Sequence, residues 1–292
     1  MPTSTPKPPR SSRSRLALAL ALAAPLPALA DTATLPASLA DWQCTGHCGS
    51  SGADGDIGLS PLGHAAYGFV TTADSTAYGT SPLQLNANSR GNGTENNGSV
   101  LRSASFQAQA GSQLNVHFNY VSTDGKNYDD YAWARLLNAS DSSLVAWLFT
   151  AQSNNSSTGN IVPGDVVSKQ EFNPADTIVD YDQFSFNTRN ASNPINWSQL
   201  GFSNGTCWKG TAEGCGFTGW LQSSVTIAAT GSYQLEIGVV NWGDTAFDSG
   251  LAFDYAGLTA TPVPEPGSWM LMLSGLGGLG FLATRRSGQG RR

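Results

Sequence analysis

Apolar residues recur at every second position in several short stretches of this chain, and nowhere do they sustain helical spacing. Between residues 113 and 120, Leu114, Val116, Phe118 and Tyr120 share one face, with Asn115, His117 and Asn119 on the other. Between residues 232 and 239, Tyr233, Leu235, Ile237 and Val239 alternate with Ser232, Gln234 and Glu236. Period two marks a strand with one face in a core. Residues 130–137, 144–149, 220–227 and 250–258 read as further strands. Gly-, Asn- and Ser-rich connections separate them, with no intervening helices. This pattern predicts an all-β fold, an antiparallel β-sandwich. Residues 31–98 hold few convincing strands and are expected to lie, loop-rich, across a core sandwich of residues 99–260. Residues 91–99 and 152–164 read as long polar loops. His117 and Glu236 sit on the polar faces of their strands and are expected to meet solvent.

Both ends of the chain depart from this pattern. Arg10, Arg13 and Arg15 precede an apolar stretch, residues 16–29, that closes with Ala28-Leu29-Ala30. Residues 1–30 therefore read as a secretory signal peptide, with Asp31 as the new N-terminus. At the other end, Val263-Pro264-Glu265-Pro266 cannot continue a helix or a strand. An apolar run of 14 residues, 269–282, follows, and then Arg285-Arg286. The run falls short of the ~20 residues of a comfortable bilayer span. The basic pair behind it would be held on the cytoplasmic side. An exported body, residues 31–262, with four cysteines argues for two disulfides. Local pairing of Cys44 with Cys48 and of Cys207 with Cys215 is the expectation. Four cysteines still allow three connectivities, and a thiolate zinc site lacks the C-x2-C spacing it prefers.

A rigid acidic tripeptide, a short hydrophobic segment and terminal arginines, in that order, resemble the PEP-CTERM sorting signal of Gram-negative bacteria. The resemblance implies a short C-terminal sorting helix within residues 263–292 and transient anchoring in the inner membrane. It further implies recognition by an exosortase, cleavage near Pro264-Glu265-Pro266, and delivery to the cell surface or the surrounding polysaccharide. The body carries a looser resemblance. Phe118-Asn119-Tyr120 leads into Thr123-Asp124-Gly125 and then Asp130-Tyr131-Ala132-Trp133-Ala134, and Asp248-Ser249-Gly250-Leu251 opens a late strand. These segments are similar to motifs of secreted bacterial jelly-roll domains, which share no single chemistry.

Charge sharpens the picture. Eight of the 15 basic residues lie in the two terminal segments, so residues 31–266 keep seven bases against all 21 acids, a net of −14. Such a body repels nucleic acid and anionic lipid, and a membrane enters only through the C-terminal segment before processing. It is compatible with divalent cations. Asp129, Asp130, Asn241, Asp244 and Asp248 lie beside strand connections and are candidate calcium ligands, since calcium takes oxygen donors from carboxylates and amides. The same residue types also close Asx-turns, and both readings stay open.

Trp197, Trp208 and Trp242 sit in polar, loop-like settings and are candidate sugar-stacking faces, while Trp133, Trp147 and Trp220 are expected in the core. Catalytic patterns are weak. None of the three histidines stands in a G-x-S-x-G or H-E-x-x-H context. Glu95, Glu171, Glu213 and Glu236 show no paired carboxylate motif. The expectation is a non-enzymatic surface or matrix protein, structural or associated with exopolysaccharide, with no cofactor beyond the calcium candidate. A secreted glycan-active hydrolase is the alternative.

Overall fold

Two antiparallel sheets face each other across the apolar positions that the alternation selects. The computed structural model describes residues 39, 41–75, 95–125, 128, 130–153, 162–163, 187–209 and 215–259. The signal peptide and the sorting segment, including Val263, Pro264, Glu265, Pro266, Arg285 and Arg286, lie outside them, as does Asp129.

One sheet runs β1 (Gln43–Thr45), β4 (Glu95–Arg102), β13 (Gly231–Trp242), β7 (Tyr131–Asn138), β8 (Leu144–Gln152), β9 (Val162–Pro163), with β5 (Phe106–Ala108) also on β13. The other runs β10 (Asn187–Thr188), β11 (Gly216–Phe217), β6 (Gln113–Ser122), β14 (Ser249–Thr259), β3 (Tyr67–Thr71), β2 (His47–Ser51), with β12 (Leu221–Thr226) also on β6. The protein is an all-β sandwich. All six strands expected from alternation form; β6, β8, β13 and β14 outrun the pattern by two to four residues, β7 keeps its length and β12 is shorter.

Register explains the core. Phe118 on β6 pairs with Phe253 on β14, and Ile237 on β13 pairs with Ala134 on β7. Across the gap between the sheets, the Phe118 and Phe149 rings stack with centroids 5.0 Å apart. Each buried aromatic or branched side chain here contributes about 2 kcal/mol by leaving water. Phe253 also needs a glycine beside it. A Cβ on Gly68, its β3 partner, would fall 2.3 Å from the ring.

Residues 31–98 depart from expectation. They supply β1, β2, β3 and the start of β4, and so belong to both sheets. Their strands are short: β1 and β2 are built from small and polar residues, and β3, Tyr-Gly-Phe-Val-Thr, is buried on both faces, so none shows an apolar alternation. Within them the Cys44–Cys48 disulfide ties β1 to β2, and Cys207–Cys215 forms the second local bridge.

His117 and Glu236 also depart from expectation, for one shared reason: both sheets are covered on their outer faces too. Trp197, Leu200, Ile195 and Ile57 pack on Tyr67, Phe69, Val121 and Ala252 outside the second sheet. Tyr131, Trp133, Trp147, Val240 and Trp242 form a third cluster outside the first. His117 is consequently buried, and burial lowers its pKa. Glu236 is 2 % exposed and is clamped by Arg102 and by Arg135, whose Nε lies 2.7 Å from Oε1. Burial alone would raise its carboxyl, but the two arginines hold it below the ordinary value.

Candidate functional site

Strand alternation builds an unusual interior at one end of the sandwich. Along β6 the inward column reads Leu114, Val116, Phe118, Tyr120, then Ser122, and the same parity reaches Asp124. On β14 it reads Tyr255, Phe253, Leu251, then Ser249; on β13, Leu235, Ile237, Val239, then Asn241. On β7, Leu136, Ala134 and Ala132 lead back to Asp130. Leu101 on β4 gives way to Ser99 and Asn97, and Val70 on β3 to Thr72. Because neighbouring strands are antiparallel, all six changes fall at the same end. Between the sheets lies an apolar core capped by a buried polar layer.

Hydrogen bonds cross this layer from sheet to sheet. The Tyr120 hydroxyl donates to the Asp130 carbonyl at 2.9 Å, and Ser249 Oγ donates to Asp130 Oδ2 at 2.7 Å. Asn97 Nδ2 donates to the Thr72 carbonyl at 2.8 Å, and Ser99 Oγ to the Thr71 carbonyl at 2.6 Å. Asp130 Oδ1 accepts from the Trp242 amide at 2.8 Å. Its carboxyl is nonetheless pushed well up, first by burial and then by the neighbouring acids. Asp124 behaves alike. Burial and then the Asp130 charge push it up to about 10, against a backbone bond from Gly125. Among the described residues no basic side chain is hydrogen-bonded to either.

The calcium candidates separate on this geometry. Asp130 and Asn241 meet in the polar layer. Asp248, like Asp130, has both oxygens engaged, Oδ1 by Thr72 Oγ1 at 2.9 Å and Oδ2 by Ser203 Oγ at 2.8 Å, but it lines the cleft. Asp244 accepts the Ala246 amide at 2.8 Å, an Asx-turn in the loop between β13 and β14. Among the described residues no three acidic, His or Cys side chains converge on one point.

The tryptophan candidates are taken up by packing. Trp197 is fully buried, and its indole N–H donates to the Tyr67 hydroxyl at 2.9 Å. It lies over β3 and β14, so neither ring face meets solvent. Trp242 is buried in the cluster with Tyr131 and Trp133. Trp208 is half-buried, with one face on Gly125, where a Cβ would fall 2.5 Å from the ring, and Tyr128 at its edge. Loop-like sequence hid these contacts, because the loops fold back onto the sheet.

Among the described residues the exposed aromatic is Phe202, 96 % accessible on a 3-10 turn, Ser198–Ser203. It stands at a cleft of about 410 Å³ lined also by Asp74, Asn97, Thr245, Phe247 and Asp248, above the polar layer. Asp74 and Phe247 both have positive φ, 54° and 60°, two of three such non-glycine residues among those described. Backbone strain of this kind, about 1–3 kcal/mol per residue, concentrates at functional sites.

Residues 262–287 match the family model of the PEP-CTERM protein-sorting motif. The chain carries a PEP-CTERM sorting signal. A signal of this kind implies sorting by an exosortase and export to the surface or the extracellular space. No curated protein sequence matches the chain. Among solved structures, the K3 cleaved adhesin domain of Lys-gingipain from Porphyromonas gingivalis aligns at 12 % identity with a TM-score of 0.30, covering 76 % of this chain and 93 % of that one. The alginate lyase from Corynebacterium sp. aligns at 14 % and 0.26, covering 76 % and 94 %. Likenesses this distant carry no functional weight. Phe202 was absent from the sequence candidates, since a lone Phe in a polar segment gives no pattern. Its polar neighbours Ser198, Gln199 and Ser203 were the available signal that its ring stays outside.

Proposed function

We propose that the body of this PEP-CTERM protein is a non-catalytic binding module that associates with extracellular polysaccharide through the Phe202 cleft. In a Gram-negative host the sorting segment holds it briefly in the inner membrane, and exosortase processing then delivers it to the matrix. The observation that carries the reading is Phe202. A phenyl ring exposed to 96 % on a soluble surface offers a flat apolar face of the kind that packs on pyranose C–H groups. Asp74 and Thr245 beside it supply acceptors and a donor for sugar hydroxyls.

Hydrolysis would need two carboxylates placed on either side of the scissile bond, roughly 5–10 Å apart. The two acids lining the cleft are Asp74 and Asp248, and Asp248 is held on both oxygens by Thr72 and Ser203. This favours binding over cleavage. A glycan array, followed by sedimentation with the host's own exopolysaccharide, tests the reading. Retention by the wild-type protein and at least about tenfold weaker retention by Phe202→Ala is the expected result, a loss of about 1.4 kcal/mol. Equal retention of the two proteins, or none by either, removes the cleft as a glycan site.

A further inference from the structure

We infer that Asp124, Asp130 and Asn241 form a binding site for one hard divalent cation, calcium, within the polar layer between the sheets. Two atoms point to it. Asp124 Oδ2 and Asn241 Oδ1 are both buried acceptors without a hydrogen-bond donor, in side chains only 1 % exposed. Leaving a buried acceptor unsatisfied is unfavourable, and two in one layer call for a shared partner that supplies positive charge.

The amide orientation of Asn241 is fixed by its surroundings. Asn97 Nδ2 is committed to the Thr72 carbonyl and to Ser75 Oγ, so Asn97 presents its oxygen, and Asn241 Nδ2 donates to it at 3.1 Å. Asn241 Oδ1 is thereby turned away from Asn97 with nothing to accept. Exchanging O and N would set two oxygens face to face.

Register brings the three residues together. Val240 on β13 pairs with Tyr131 on β7, and the Trp242 amide donates to Asp130 Oδ1, so Asn241 between them lies beside Asp130. Cross-strand neighbours on one face have Cβ atoms about 4.5–5.5 Å apart. Asp130 then reaches across to Ser249, and Ser249 pairs with Ser122, two residues before Asp124 on the same inward column. Both carboxylates and the amide oxygen thus border one buried layer.

The donor chemistry selects the ion. Two carboxylates and an amide, with no imidazole or thiolate, suit an oxygen-seeking cation, and water fills the remaining positions of an irregular calcium shell. A divalent ion also offsets the two like charges that burial would otherwise set against each other. The site is distinct from the glycan cleft and does not rest on it.

The test uses the full chain at neutral pH. Native mass spectrometry after calcium chloride addition should count one ion per chain, and the melting temperature should rise by several degrees over that in EDTA. Magnesium chloride should give a smaller rise, because it resists irregular coordination. Asp124→Asn keeps the shape and removes one ligand charge, and should weaken calcium binding about tenfold or more. Asn241→Leu removes the amide oxygen and should weaken it as well. Identical melting curves of the wild type in EDTA and calcium, with no bound ion, would overturn the site and leave the carboxylates as neutral buried acids. Calcium binding that survives both substitutions unchanged would overturn the assignment equally.

Discussion

Glu236 and the Asp124–Asp130 pair are all buried acids in one sandwich, and they are treated in opposite ways. Glu236 sits outside the first sheet, between Arg102 and Arg135, and its carboxyl is held below its usual range. Asp124 and Asp130 sit between the sheets with only backbone and serine donors among the described residues, and both are pushed up. The difference teaches how the chain disposes of charge. Where a guanidinium is supplied by the neighbouring strand, the fold itself completes the ion pair. Where none is supplied, the carboxylates must take a proton or an ion from solution.

The sharpest way to break this comparison is to remove a cation from Glu236. Arg135→Ala should destabilise the protein by about 3 kcal/mol in chemical denaturation, because it uncovers a buried charge and strips an Arg side chain lying 5.8 Å from the Trp147 ring centre. A loss below about 1 kcal/mol would mean that Arg102 alone suffices.

Acid is the next probe. A carboxyl with a depressed folded pKa binds fewer protons in the native state than in the unfolded state. Its contribution is present above the unfolded value of about 4.3 and is lost as pH falls through the folded one. Wild-type stability should therefore drop below about pH 4, and the drop should be shallower in Arg135→Ala, read by thermal melts from pH 6 to 3.

A smaller effect is expected at the other site. In EDTA, Asp124→Asn should change stability by less than about 1 kcal/mol, since the replaced acid has the same shape and no guanidinium to lose. A loss as large as that of Arg135→Ala would erase the distinction between the two sites. Smallest of all, Phe202→Ala should alter stability by less than about 0.5 kcal/mol, its ring having almost nothing to lose, while glycan retention falls.

The sandwich was legible because its core strands alternate, and alternation is a local signal. The polar layer was legible only in part. Asp130 and Asn241 stand out as acidic-loop residues, but the parity that joins them to Ala132 and Val239 runs on past the last apolar residue, where no local pattern marks it. Asp248 and Asp244 read alike in sequence, and only tertiary contacts separate them, hydroxyls from Thr72 and Ser203 for one and its own turn for the other. Trp197 read as a loop aromatic because nothing local announces that its segment folds back over β3. Glu236 read as solvent-facing because a strand covered on both faces can carry a charge on either, provided the partner arginines lie on adjacent strands.

One consequence follows from the path of β14. It begins at Ser249, beside the cleft, and ends at Thr259, three residues before the matched sorting motif at 262. At about 3.3 Å per residue its 11 residues span roughly 35 Å. The strand therefore sets Phe247 and Asp248, just before its first residue, at the opposite end from Thr259, so the cleft and the last described residue lie a full strand length apart.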